Sequence, residues 1–148
     1  KGFKEEDFAF YHPGGSLGKK LLLKVEDIMR RGEANPIVNE EKKISEVLFK
    51  ITKARAGSAS IVNKNGRLSG IFTDGDLRRH FEVDPNLSQR RVKEVMTKNP
   101  ITVSPEMLAV EAIRILKDKK IDEVVVADKN RRPVGLLDVQ DLLKAGLV

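Results

Sequence analysis

A chain of 148 residues, 40% hydrophobic and 34% charged, can bury an ordinary core, whereas either half folding alone would be marginal. The absence of cysteine excludes disulfides and thiolate metal sites and suits a reducing cytoplasm. Two histidines far apart in sequence argue against a metal centre, and no apolar run approaches the roughly 20 residues needed to span a bilayer. The net charge of +6 arises from pairs scattered along the chain, such as Lys19 and Lys20, Arg78 and Arg79, or Arg131 and Arg132. With few aromatic residues between them, these fit a small anionic ligand better than nucleic acid.

The chain opens on Lys1 rather than methionine and reads as a piece of a longer protein. Residues 1–24 hold Gly14, Gly15 and Gly18 ahead of Lys19 and Lys20. A Walker loop fails there, because Pro13 stands five before Gly18 and Lys20 takes the place of the required hydroxyl. On the residues alone, this segment is a linker.

From Val25 onward the chain is written twice. Residues 44–81 and 109–146 overlay at a constant offset of 65 without a gap, and the upstream anchors Val25-Glu26-Asp27-Ile28-Met29 and Val92-Lys93-Glu94-Val95-Met96 match at an offset of 67. Pro36 introduces a short strand at Ile37-Val38. The spacing of Ile44, Val47, Leu48 and Ile51 predicts a helix to about Arg55, with Gly57 as its stop. A strand at Ser60-Ile61-Val62, an Asn65-Gly66 hairpin and a strand at Gly70-Ile71-Phe72 follow. The joint Thr73-Asp74-Gly75-Asp76 then leads into a second helix.

The second copy repeats this order. Pro100 precedes a strand at Ile101-Thr102-Val103, and Ser104, Pro105 and Glu106 predict a helix start as N-cap, first position and first-turn acid. Helical spacing continues to Lys119 or Lys120. Strands at Val125-Val126-Ala127 and Gly135-Leu136-Leu137 flank Asn130-Arg131-Arg132-Pro133, which lacks the glycine and predicts a looser turn. Asp138 and Asp141 open the last helix. The expected fold is α/β (α+β): two pseudo-symmetric strand–helix–strand–strand–helix repeats, residues 25–82 and 92–148, around one shared core.

The joint of the first copy carries the strongest chemical signal. Thr73 caps a helix and Asp76, three residues on, reaches back to it. The same geometry suits a ligand, since free amides and a hydroxyl face a phosphate while a carboxylate accepts from ribose. Arg78 and Arg79, one turn inside, can reach a second anionic group. In the second copy Asp138 replaces the hydroxyl and would repel a phosphate by about 1–4 kcal/mol at roughly 4 Å. It serves as a helix cap, so the first site should dominate. His80 reads as an ordinary helix-face residue.

These motifs, Val-x-Asp/Glu-hydrophobic-Met at each start and Gly-hydrophobic-x-Thr-x-x-Asp at the joint, resemble a tandem of cystathionine-beta-synthase (CBS) domains, a Bateman module. The resemblance covers residues 25–148. It implies phosphate and ribose roles for Thr73 and Asp76, with the base slotted between Ile37 and Val38 and the strand start at Ser58 and Ala59; Arg79 and Asp141 complete the candidate ligand residues.

The leading segment, Phe8 to Leu22 through His12-Pro13-Gly14-Gly15, is similar to the junction of bacterial arabinose 5-phosphate isomerases. There a sugar isomerase (SIS) domain ends and a CBS pair begins. That likeness implies a parent enzyme that interconverts ribulose 5-phosphate and arabinose 5-phosphate for Kdo and lipopolysaccharide synthesis. His12 would be a catalytic residue only in that full-length enzyme, because its acid–base partners lie outside this chain, which should be inactive alone. No cofactor is required. The ligands implied are CMP-Kdo, AMP, ADP or ATP, and the partners are the SIS domain and a second copy in a homodimer through the CBS pairs, with a higher homo-oligomer in the parent. The competing reading is a structural dimerisation module whose joint is a helix cap and nothing more.

Overall fold

In the computed structural model, which describes residues 21–148, each repeat follows the expected element order. A short helix α1 (Val25–Ile28) precedes β1 (Ile37–Asn39), α2 (Ile44–Ala54), β2 (Ser58–Val62), β3 (Leu68–Thr73) and α3 (Asp74–Phe81). After β4 (Thr97–Lys98) come β5 (Thr102–Val103), α4 (Ala109–Lys119), β6 (Glu123–Ala127), β7 (Pro133–Asp138) and α5 (Val139–Lys144). His12 lies outside the described residues. Among those described, no helix is long and apolar enough to cross a membrane.

The strands form two sheets, ordered β1-β2-β3-β4 and β5-β6-β7. β1 runs parallel to β2 and β5 to β6, whereas β2 and β3, like β6 and β7, form antiparallel hairpins. α2 turns Ile44, Val47 and Ile51 into a cluster with Val38, Ile61 and Phe72. α4 does the same with Ala112 and Leu116 against Val103, Val124 and Leu137. Burying each large aliphatic side chain contributes about 1.5–3 kcal/mol.

The expected single core is instead two, one per repeat, and the anchors cross between them. Val92 is buried in the first repeat's cluster with Val95 and Met96 against it, while Val25, Ile28 and Met29 pack with the second repeat. The hydrogen bonding follows suit. β4, which continues the second anchor, pairs with β3, and Arg30, which follows the first anchor, exchanges backbone hydrogen bonds with Leu136 of β7 at 2.8 and 3.2 Å. Leu68, Ile71 and Val125 form a small buried cluster where the sheets meet.

Three local expectations change. α4 begins at Ala109 rather than near Pro105, because the chain before it is recruited elsewhere: the carbonyls of Pro105 and Met107 accept from Glu26 and Val25, and Ala109 donates to Leu23. α2 stops at Arg55 rather than Gly57. Arg55 and Lys120 both adopt left-handed conformations, at φ 55°, and the paired bonds Ala56→Ile51 and Arg55→Thr52 recur as Ile121→Leu116 and Lys120→Lys117, a Schellman closure without glycine. The turn at 128–132 is no looser than its counterpart. Asp128 Oδ1 accepts from Asn130 and Arg132 as Asn63 Oδ1 does from Asn65 and Arg67, and Arg131 takes the positive φ that Gly66 takes in the first copy.

Gly70 and Gly135 make the crossing possible. A Cβ on Gly70 would lie 2.8 Å from the carbonyl oxygen of Thr97 and against the Met96 sulfur; on Gly135 it would meet the Met29 sulfur and come within 3.0 Å of the Arg30 carbonyl. Because backbone is among the obstacles, a side-chain rotation cannot relieve the clash. Gly70→Ala is therefore expected to cost about 1–3 kcal/mol in chemical denaturation, and an unchanged unfolding midpoint would contradict this packing.

Candidate ligand cleft between the repeats

Thr73 ends β3 in an extended conformation, and its hydroxyl accepts from the Asp76 amide at 3.1 Å. Asp76 returns the contact, taking the Thr73 amide at 3.0 Å, so the capping box expected from the spacing is formed. Asp76 is 2% exposed, and its carboxylate has two more partners. Thr97 Oγ1 donates to it at 3.0 Å, and the Arg79 guanidinium pairs with it from a side chain that is itself 67% exposed. Thr97 is a site residue that the sequence reading missed. Its only signal was its place directly after the Met96 anchor.

Thr73, Gly75, Arg78 and Arg79 form one wall of a cleft of about 500 Å³, a size within the usual range for small-ligand sites. The opposite wall comes from the second repeat: Asn99-Pro100-Ile101 before β5 and Lys120 to Glu123 before and at the start of β6. The expected place of the base is beside Ile37, Val38, Ser58 and Ala59, of which Ser58 pairs with Thr73 across β2 and β3. Those four residues do not line this cleft. Val38, Ser58 and Ala59 are buried in β1 and β2, and the equivalent strand starts of the other repeat stand in their place. The crossed anchors contribute, because the pairing of β4 with β3 brings second-repeat chain alongside the strand that ends at Thr73.

The cleft is electrically mixed. Arg78, Arg79 and Lys120 face Asp74, Asp122 and Glu123. Burial pushes the Glu123 carboxyl up to about 7, helped by Asp138, Asp122 and Asp74 and opposed by Arg30. Charge on this wall therefore changes near neutral pH.

The second joint is built differently. Asp138 caps α5 through the Gln140 amide at 2.8 Å, as its residue type predicts, and burial raises its pKa. Asp141 is the positional equivalent of Asp76. It is bound by Arg30, with Nε donating at 2.6 Å and Nη2 at 3.2 Å. The structure thus brings Thr73, Asp76 and Arg79 together and leaves Asp141 at a separate joint. No group of three potential ligands able to hold a metal occurs among the described residues.

Comparison with known proteins places this geometry. The CBS domain model matches residues 25–83 and 92–148. The arabinose 5-phosphate isomerase KdsD of Pseudomonas aeruginosa is 46% identical over the whole chain, which covers 45% of that protein; the KdsD of Escherichia coli K12 is 43% identical with the same coverage. The chain thus spans a little under half the length of these relatives. Among solved structures, the CBS domain pair of MJ0100 in complex with 5′-methylthioadenosine and S-adenosyl-L-methionine superposes with a TM-score of 0.75 at 24% identity, over 84% of this chain and 96% of that one. CBSX2 in complex with AMP gives 0.71 at 20% identity, with 84% and 96% covered. The fold, the repeated joints and the family match agree: the chain belongs to the CBS-domain family, as a tandem pair.

Proposed function

We propose that this CBS pair is a regulatory module that binds a nucleotide or nucleotide sugar in the cleft at Thr73. The parent protein is a cytoplasmic arabinose 5-phosphate isomerase of Kdo and lipopolysaccharide synthesis, whose SIS domain lies in the remainder of the chain and whose active site includes His12. The likeness to KdsD supports the parent. The observation that carries the ligand reading is the open cleft itself, where a helix start, a hydroxyl and two arginines lie across from Ile101 and Ile121, which are set among Lys120, Asp122 and Glu123.

The residues assign the parts of such a ligand. A phosphate takes the Thr73 hydroxyl and the Gly75 amide at the start of α3, with Arg78 and Arg79 supplying countercharge. A ribose diol takes Asp76 once the mostly exposed Arg79 side chain swings off it, replacing that partner of the buried carboxylate. The base enters between Ile101 and Ile121. Three charge-assisted hydrogen bonds at about 1.5–3 kcal/mol each, less ordering costs, support a dissociation constant near the micromolar level. CMP-Kdo, AMP, ADP and ATP are the candidates, and no cofactor is needed. Such a ligand would touch both repeats, so it would favour one relative placement of them, and that differential binding is what regulation requires.

A second reading has its own observation. Phe49, Phe81 and Val83 of the first repeat are 68–77% exposed, and Phe81 borders an apolar groove of about 480 Å³ with Leu48, Leu77 and Pro85. A second copy of the pair would cover this face, giving a homodimer. That reading predicts a dimer in sedimentation that Phe81→Asp converts to monomer; a monomeric wild type would sink it.

Titration calorimetry tests the ligand reading directly. One of the four candidates should bind near the micromolar level, and Thr73→Ala and Asp76→Asn should each weaken it about tenfold or more. At pH 8 Glu123 is ionised and repels an anionic ligand, so Glu123→Gln should bind a few-fold tighter there and equally at pH 5.5, where the wild-type carboxyl is protonated. Absence of binding by all four, or indifference to Thr73 and Asp76, would contradict the site.

A further inference from the structure

The residues that follow the two anchors differ in size. Thr97 comes after Met96 and Arg30 after Met29, and they hold matching places, Thr97 opposite Ile71 of β3 and Arg30 opposite Leu136 of β7. Each donates to the carboxylate of the facing joint, Thr97 to Asp76 at 3.0 Å and Arg30 to Asp141 at 2.6 Å. There the threonine ends. The arginine goes on, with Nη1 donating to the carbonyls of Ala34 at 3.3 Å and Ala54 at 3.1 Å, and Nη2 to Arg55 at 3.1 Å and to the second Asp141 oxygen at 3.2 Å.

These acceptors mark a location. Arg55 is the repeat equivalent of Lys120, and Ala34 directly precedes Asn35-Pro36-Ile37, the copy of Asn99-Pro100-Ile101; Lys120 and Asn99 to Ile101 line the open cleft. Arg30 therefore lies where the second repeat would have its own cleft. All five guanidinium N–H groups have partners there, drawn from three separate chain segments, and the side chain is 17% exposed. An ordinary surface ion pair satisfies fewer donors and binds fewer segments.

We propose that Arg30 is an internal occupant of the second cleft and the residue that limits this pair to one ligand. It consumes both oxygens of Asp141, the carboxylate a ribose diol would need, and its guanidinium fills the space between the walls. The first cleft stays open because Thr97 reaches Asp76 without crossing it, and the other charged partner of that carboxylate, Arg79, comes from the same helix with its side chain mostly exposed. The inference rests on the ligand reading of the first cleft for its chemistry, while its test reads the second joint separately.

The test follows backbone amides of the isotope-labelled 148-residue chain while adenosine, an uncharged ribose diol that Asp138 does not repel, is added to millimolar concentration. Gly75 reports the first cleft and Gln140 the second joint. In wild type Gln140 should stay still. In Arg30→Thr it should shift and saturate, and Arg30→Thr combined with Asp141→Ala should lose that response. Arg30→Gln, which still reaches Asp141 but cannot engage all three carbonyls, serves if the threonine variant does not fold. A folded Arg30 variant with Gln140 unmoved would overturn the proposal, as would a wild type whose Gln140 saturates with an affinity of its own. A silent Gly75 would instead count against the first-cleft reading, with Gln140 still deciding the role of Arg30.

Discussion

The close approach of each anchor to the other repeat's glycine is the constraint on which the rest depends. Met96 lies on Gly70 and Met29 on Gly135, so close that no Cβ fits at either position. This contact inserts Val92 into one core and Val25 into the other. Without it, β3 would lose its pairing with β4 and each cluster its buried anchor valine. Two repeats of about sixty residues, each marginal alone, thereby complete one another's cores. The same crossing makes the ligand cleft a joint property of both, with the joint at Thr73 on one side and Ile101, Ile121 and the charged Lys120, Asp122 and Glu123 on the other.

A symmetric scaffold then carries asymmetric chemistry. At the joints Thr73 stands opposite Asp138, and behind them Thr97 stands opposite Arg30. The first pair leaves Thr73 and Gly75 lining an open cleft; the second gives a carboxylate cap beside a guanidinium clamp. Between them, Glu123 takes the place that buried Ser58 has in the first repeat. Its neighbours Asp74 and Asp138 belong to opposite joints, so its ionisation is felt on both sides of the pair.

Much of this was legible in the sequence. The offset of 65 gave the element order, and the Thr73–Asp76 spacing gave the capping box. Local rules failed where distant chain intervened: Ser104 and Pro105 read as a helix start, but their neighbourhood is claimed by the backbone of Leu23 to Glu26. They also failed where one residue type stood in for another: a left-handed Arg131 in the place of Gly66, with Asp128 bonded as Asn63 is, closes a turn expected to be looser. The largest miss was the facing wall. Periodicity describes a repeat in isolation. Ser58 does pair with Thr73 across β2 and β3, but nothing local showed that Ile101 and Glu123 of the other repeat would line the cleft there. The available signal was the pair of glycines at one offset within strands, where glycine is unfavourable unless something approaches closely.

The central claim is that a ligand held by Thr73 is sandwiched by the opposite repeat. Intermolecular proton–proton Overhauser contacts to bound AMP or CMP-Kdo, read at isoleucine methyls, test it most directly. The account predicts contacts from the base to Ile101 and Ile121 and none to Ile37. Contacts to Ile37, with Ile101 and Ile121 silent, would contradict it.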